Sequence, residues 1–371
     1  MTFVPELIYI EPGVENEAFT REVLERFPSV PVESCADPAQ AVEAIKQTQE
    51  DWFGACKRRL FLARFKGSFL KKCPGVSPGM VCCNYFVVNL MKNCVYDCSY
   101  CFLQDFLKNN PLLVAFVNIE DLLSELQASF DAHPDQEFRV GTGEITDSLA
   151  HDAGLPYSKA LIPFFNRQSN AVLELKTKSD EIGNLLTQEN TENVIVSWSL
   201  NPREIVDREE IGTPALEKRL AAARRCQEKG YRIGIHLDPI ILFPGWERAY
   251  KDLVEEIFLN LNPDAIEWLS LGSFRYRSGL KQMIKERNPQ TLLFSSEHVA
   301  SKDGKFRYLR PLRNQAYETI RDYVKQRAES LSVYLCMETR EVWEGATGAL
   351  PKSDPHLKTF FSPTAKLVKQ I

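Results

Sequence analysis

The chain has 371 residues, 44% of them hydrophobic and 26% charged, with a formal net charge of -5. It is long enough for one large domain with extensions or for two domains, and its acidic balance excludes a protein that coats nucleic acid by bulk charge. Ten cysteines would suit a secreted disulfide framework, but Met1 to Leu7 has no basic region leading into an apolar one, and no run approaches the roughly 18 apolar residues of a membrane span. The expectation is a cytoplasmic protein with no membrane contact, whose cysteines are metal ligands or redox groups.

In chain order, Leu7 to Ile10 predicts a strand, and the spacing of Phe19, Val23, Leu24 and Phe27 predicts a helix over 16–27. A second helix is predicted over 38–49. Between Lys57 and Lys72 there are seven Lys or Arg, interleaved with Phe61, Phe65 and Phe69, and no acid. Such a mixture suits a nucleic-acid backbone and its bases, or a solvated face whose other side is core. Cys73, Cys82 and Cys83 follow, as small buried fillers or as reactive thiols.

The loop Cys94-Val-Tyr-Asp-Cys98-Ser-Tyr-Cys101 is the strongest signal in the chain. Three thiolates at a three-then-two spacing hold three corners of a cubic [4Fe-4S] cluster and leave one iron without a protein ligand. Zinc is the alternative, but it wants a closed set of four ligands, or three and a water. From here strand-like runs recur at 85–90, 137–140, 171–178, 194–200, 232–241 and 265–274, with helical segments between most of them. The clearest helix is predicted over 214–229, with Thr213 as N-cap, Pro214 at the first position and Gly230 just past its end.

Strands alternating with helices build a parallel sheet, whose strands should be apolar on both faces. Here Glu174, Lys176 and Lys178 alternate with apolar neighbours, as do Ser197, Ser199 and Asn201, and then His236 and Asp238. One polar face in three successive strands points to a barrel, with helices outside and polar groups lining a lumen. The expected fold is α/β, a partial TIM-like (β/α)6 barrel over 79–275, with an N-terminal α/β extension (1–78) and a C-terminal capping region with a basic hairpin (276–371). Chemistry in such folds gathers at the carboxyl ends of the strands. That places the cysteine loop, the turn Gly141-Thr-Gly143-Glu144, and Lys178, Ser199 and Asp238 at one mouth. His236 is either a satisfied core histidine or a group that positions ligand or moves a proton.

These residues resemble the radical S-adenosylmethionine superfamily, and more narrowly the spore photoproduct lyase family. The resemblance rests on Tyr9-Ile-Glu-Pro12, Cys98-Ser-Tyr-Cys-Phe-Leu-Gln104, Thr177-Lys178, Trp198-Ser-Leu-Asn201, Ile211-Gly-Thr-Pro-Ala-Leu-Glu-Lys-Arg219, Asp238-Pro239-Ile240 and Gly245-Trp246-Glu247. It implies that the open iron binds S-adenosylmethionine (AdoMet) and that one electron, from a carrier such as a flavodoxin or ferredoxin, yields a 5′-deoxyadenosyl radical.

By the same resemblance Lys178 meets the methionine carboxylate and Ser199 bonds the same end. Thr146 and Asp147 contact the cofactor, with Asp147 suited to ribose hydroxyls, and Tyr100 lies near the adenosyl group as a catalytic tyrosine. Asp238 joins the cofactor-binding set, and Arg307 and Tyr308 contact a nucleic-acid substrate as phosphate contact and base stack. Two departures stand out. Glu144 occupies the place of a hydrogen-donating cysteine, and is read instead as a ligand of the AdoMet amino group; Phe102 replaces a second tyrosine. Cys73, Cys82, Cys83 and Cys336 are the candidate replacement thiols. The alternatives are a nucleic-acid-binding protein with a structural or redox-sensing cluster, and radical modification of a protein or small molecule.

Overall fold

The structure is a computed structural model and describes residues 3–75, 79–81 and 83–348. Cys82 therefore lies outside the described residues. Six parallel strands form the body of the larger sheet: β1 (Tyr85–Val88), β2 (Phe138–Gly141), β3 (Ala171–Thr177), β4 (Val194–Ser199), β5 (Arg232–Ile240) and β6 (Ile266–Ser273), paired in chain order. Leu70–Lys72 adds antiparallel to β1 and Val333–Leu335 adds parallel to β6, giving eight strands. This is the expected half-barrel, carrying a strand from each flanking region.

The polar face is the inner one. Glu174 on β3 accepts from the Ser197 hydroxyl of β4 (2.7 Å) and meets Nε2 of His236 on β5 (2.7 Å), while Nδ1 of His236 lies 2.5 Å from the Ser270 hydroxyl on β6. Arg139 on β2 closes the set on Glu174 at 2.8 Å. Burial pushes the His236 pKa down to about 4, and Lys176 adds to the effect. The ring is neutral at pH 7, so Nε2–H donates to Glu174 and Nδ1 accepts from Ser270. His236 is thus a satisfied core histidine.

Outside, Leu216–Lys229 buries Leu216, Leu220, Ala223 and Cys226, the stripe its periodicity predicts, and stops at Gly230, whose φ is +107°. Its start differs from expectation: Ala215 is the N-cap. Thr213 is used elsewhere, its hydroxyl donating to the Glu210 carbonyl and accepting from Arg219 (both 2.6 Å).

A second, five-stranded sheet joins the N-terminal strands Leu7–Ile10, Val32–Ser34 and Arg59–Ala63 to Leu113–Phe116 and Met91–Lys92. Both sheets therefore cross the boundary expected at 78, and the larger one also crosses that at 275. The basic run over 57–72 belongs to this scaffold. Lys57, Arg58, Arg59, Arg64 and Lys66 are all in ion pairs, and Phe61 and Phe69 are core. Of its two readings, the solvated face over a core is the one observed.

Candidate active site at the barrel mouth

The three cysteines sit in a loop that its surroundings hold from every side. Asn93, at a left-handed φ of 72°, accepts the Cys94 N–H on its side-chain oxygen (2.9 Å) and donates its amide to the Pro111 carbonyl (2.6 Å). His151 accepts the Val95 N–H at 3.3 Å. Gln104 donates to the Ser99 carbonyl at 2.7 Å. The two-residue strand Glu210–Ile211 pairs antiparallel with Asp97–Cys98, and the Ser99 hydroxyl donates to the Glu209 carboxylate. A loop with so many backbone partners presents its thiols in one arrangement before any iron arrives.

The donor set fits a cubic cluster. Cys94 and Cys98 are buried and Cys101 is partly so. Three thiols on one loop can each bind a separate iron of a cube. Burial pushes the Cys94 thiol up to about 12, with Asp147 adding to it, so metal binding has to displace a firmly held proton.

Behind the thiols lies a buried ionic network that the spacing of the sequence does not reveal. Glu210 and Arg219 form an ion pair at 2.5 Å with both side chains fully buried. The Tyr100 hydroxyl donates to Glu210, and so does the Asn201 amide at 2.9 Å. Burial pushes the Glu210 carboxyl up, but Arg219 and Lys178 outweigh it and hold it below the ordinary range. The ammonium of Lys178 stands 5.6 Å from the Tyr100 ring centroid. Burial works against its charge, yet Glu210 and then Cys98 raise its pKa above the ordinary value. Lys178 thus stays a cation beside the cluster loop. Its central acid, Glu210, belongs to no motif in the sequence, although its partners Tyr100, Lys178, Asn201 and Arg219 do.

Other predicted site residues are placed differently. Asp147 is heavily engaged: its Oδ2 accepts from the Lys178 N–H (2.6 Å), and its Oδ1 from the Thr177 hydroxyl (2.6 Å) and the Leu149 and Ala150 N–H groups (3.0 and 2.9 Å). Asp147 thus positions Lys178 and its own loop, and its Oδ2 keeps capacity for a further donor. Thr146, next to it, is buried, and so is Ser199, whose carbonyl accepts from Arg219 at 3.2 Å.

Asp238 is held by the two arms of Arg275 at 3.0 and 3.1 Å, and burial is outweighed by that guanidinium, which keeps its carboxyl well below the ordinary range. Only a glycine fits at 272, where a Cβ would lie 2.6 Å from this carboxylate. Asp238 therefore presents Arg275 at the carboxyl end of β5. Glu144 is partly exposed in the turn after β2. Burial raises its carboxyl pKa, with Lys71 and a bond from Asn89 opposing.

Arg307 and Tyr308 correct the sequence reading. Arg307 is 1% exposed and its two arms bond Asp303 at 2.6 and 2.8 Å; Tyr308 is 0% exposed and its oxygen accepts the Leu242 N–H at 3.0 Å. Neither is available as a surface phosphate contact or base stack, because Asp303 and the aromatic core under the hairpin claim them first. Among the candidate thiols, Cys336 lies 4.0 Å from Arg275, beyond the carboxyl end of Val333–Leu335, and burial pushes it up to about 11. Among the described residues no helix is long and apolar enough to cross a membrane.

Comparison with known proteins agrees with this geometry. The profile of the spore photoproduct lyase family matches residues 3–334. A spore photoproduct lyase of a Geobacillus species is 24% identical over 335 residues, covering 87% of this chain and 95% of the relative; that of Bacillus subtilis is 24% identical over 296 residues, covering 78% and 84%. A solved mutant spore photoproduct lyase with bound AdoMet and dinucleoside spore photoproduct superposes with a TM-score of 0.80 at 23% identity, covering 91% of this chain and all of the other. A second, complexed with dinucleoside spore photoproduct, gives 0.79 at 24% identity, covering 90% and 99%. With its cysteine loop and half-barrel, the chain belongs to the spore photoproduct lyase family of radical AdoMet enzymes, which use a [4Fe-4S] cluster.

Proposed function

We propose that the enzyme acts on a pyrimidine lesion in nucleic acid, as its relatives are named for, with a carrier of the flavodoxin or ferredoxin class as electron donor. The observation that carries the reading is the cation of Lys178, kept charged beside Cys98 at the mouth of a polar half-barrel. When bound, the cluster and AdoMet supply a 5′-deoxyadenosyl radical. The residues of the chain bind, orient and exclude water around that chemistry.

Lys178 meets the carboxylate of AdoMet as a point charge. Asp147 fixes the backbone from which Lys178 projects, and Glu210 fixes the Tyr100 hydroxyl and balances the Lys178 charge. Glu144 takes the amino group of AdoMet, the role left open once a carboxylate stands where the family has a thiol. Thr146 and Ser199 line the same cofactor pocket.

The test is anaerobic loading with iron and sulfide, reduction, and measurement of 5′-deoxyadenosine with and without UV-damaged thymine-rich DNA. Loaded, reduced enzyme should form 5′-deoxyadenosine and, with damaged DNA, restore thymines. Lys178→Ala should weaken AdoMet binding at least tenfold, the loss expected for a charged hydrogen bond. Formation of 5′-deoxyadenosine without thymine recovery on any damaged DNA would move the substrate to another class.

A further inference from the structure

The three-stranded sheet beside the mouth comprises Arg275–Tyr276, His298–Ala300 and Phe306–Tyr308. Its antiparallel register sets Arg275 opposite Arg307 and Tyr276 opposite Phe306. Continuing that register by one residue brings Arg277 opposite Lys305, and Arg277 is still extended (φ -82°, ψ 155°). Residues two apart on a strand share a face, so Arg275, Arg277, Lys305 and Arg307 form two adjacent like-charged pairs on one side. The other side stacks Tyr276 on Phe306 at 5.5 Å and closes over the core.

Arg275 shows where the charged side looks, because it reaches Asp238 at the carboxyl end of β5. Lys176, on the lumen face of β3, adds a further positive charge felt by both Asp238 and Cys336. Like charges directly opposite each other destabilise a sheet, and among the described residues two carboxylates pair with members of this group. Asp238 is taken by Arg275 and Asp303 by Arg307. Among the described residues no carboxylate forms an ion pair with Lys176, Arg277 or Lys305. Lys305 registers the imbalance: burial, then Arg275, and further Arg307 and Arg277, lower its pKa against the single opposing charge of Asp303. A fold that gathers three cations without an ion-pair partner beside the barrel mouth is arranged for an anion.

We propose that Lys305 and Arg277, backed by Lys176, form a seat for the phosphodiester that bridges the two nucleosides of the substrate, with the Asp-held Arg275 and Arg307 as its rigid floor. The inference rests on the nucleic-acid reading above and assigns the role once expected of Arg307 to its neighbours. An arginine and a lysine on adjacent strands, one exposed and one partly buried, suit a phosphate that enters from solvent. The carboxylate of AdoMet is the other anion that could take this charge.

The test compares two probes bound to loaded enzyme under anaerobic conditions: the dinucleotide spore photoproduct with its bridging phosphate, and the dinucleoside that lacks it. Wild type should prefer the bridged probe by roughly tenfold, as charged hydrogen bonds to one phosphate allow. Lys305→Gln and Arg277→Gln should each bring that preference down about fivefold or more, while affinity for the dinucleoside and for AdoMet and the melting temperature hold. Lys66→Gln, on the other basic segment, should leave the preference unchanged. An unaltered preference in both mouth variants overturns the seat. So does weakened AdoMet binding with the preference intact, which would give these cations to the cofactor. Wild type that cleaves AdoMet but binds neither probe overturns the nucleic-acid reading and the seat with it.

Discussion

The two basic and aromatic segments, 57–72 and 305–313, read alike as sequence and end in different physical situations. The first lies on a strand and turn at the surface. Its charges meet Glu6, Glu11, Glu17 and Asp121 in partly exposed pairs, and Phe61 and Phe69 are core. The second turns its largest charges inward, Arg307 to Asp303 and Arg313 to Glu338. Screening makes the first set worth little one pair at a time, whereas burial makes each partner in the second indispensable to the other. A basic run thus acquires its meaning from the acids that the fold brings to it.

The largest expected effect is at the buried pair. Arg307→Ala leaves Asp303 without its partner and should cost about 3–5 kcal/mol in chemical denaturation; a cost comparable to that of Arg64→Ala would erase the contrast. Tyr308→Phe strips the acceptor from the buried Leu242 N–H and should cost about 1–3 kcal/mol. Unchanged stability there would mean that the N–H finds water.

Acid should separate the segments as well. His298 packs against the Tyr308 ring at 4.4 Å, and burial, with Lys281 second, pushes its pKa down to about 4. A histidine depressed by folding contributes stability that is full above its unfolded pKa of about 6.5 and lost as pH falls toward 4. His236 in the lumen behaves in the same sense. Hydrogen exchange should therefore show the hairpin loosening between about pH 6.5 and 4, by on the order of 1–2 kcal/mol, with the 57–72 strand unaffected in that window. His298→Gln should reduce the loss. The smallest effect is Arg64→Ala, about 0–1 kcal/mol and weaker still in high salt; more than that would show that its two carboxylates act as a network.

Local patterns made a good part of this molecule legible. The cysteine spacing needed only one loop, because ligands a few residues apart meet the same cluster in almost any fold that holds the loop. The half-barrel was visible in the alternation of Glu174, Lys176 and Lys178 with apolar neighbours, since a strand projects side chains with period two whatever surrounds it. Gly230 marked a helix end for a similarly local reason, the left-handed backbone. The start of that helix was less legible, because Thr213 satisfies Arg219 and Glu210 instead of capping.

What the tertiary structure alone decided is which charges meet. Glu210 neutralises Arg219 and Lys178 from a segment more than a hundred residues after the cluster loop, and no periodicity announces that. Asp147, Asp238 and Arg307 carry the side chains a binding site would use, yet each is engaged by partners within the fold. Residue type and spacing determined where the reaction begins. The free energy of burying charge, which depends on every neighbour at once, decided which of the polar residues remain available to a ligand.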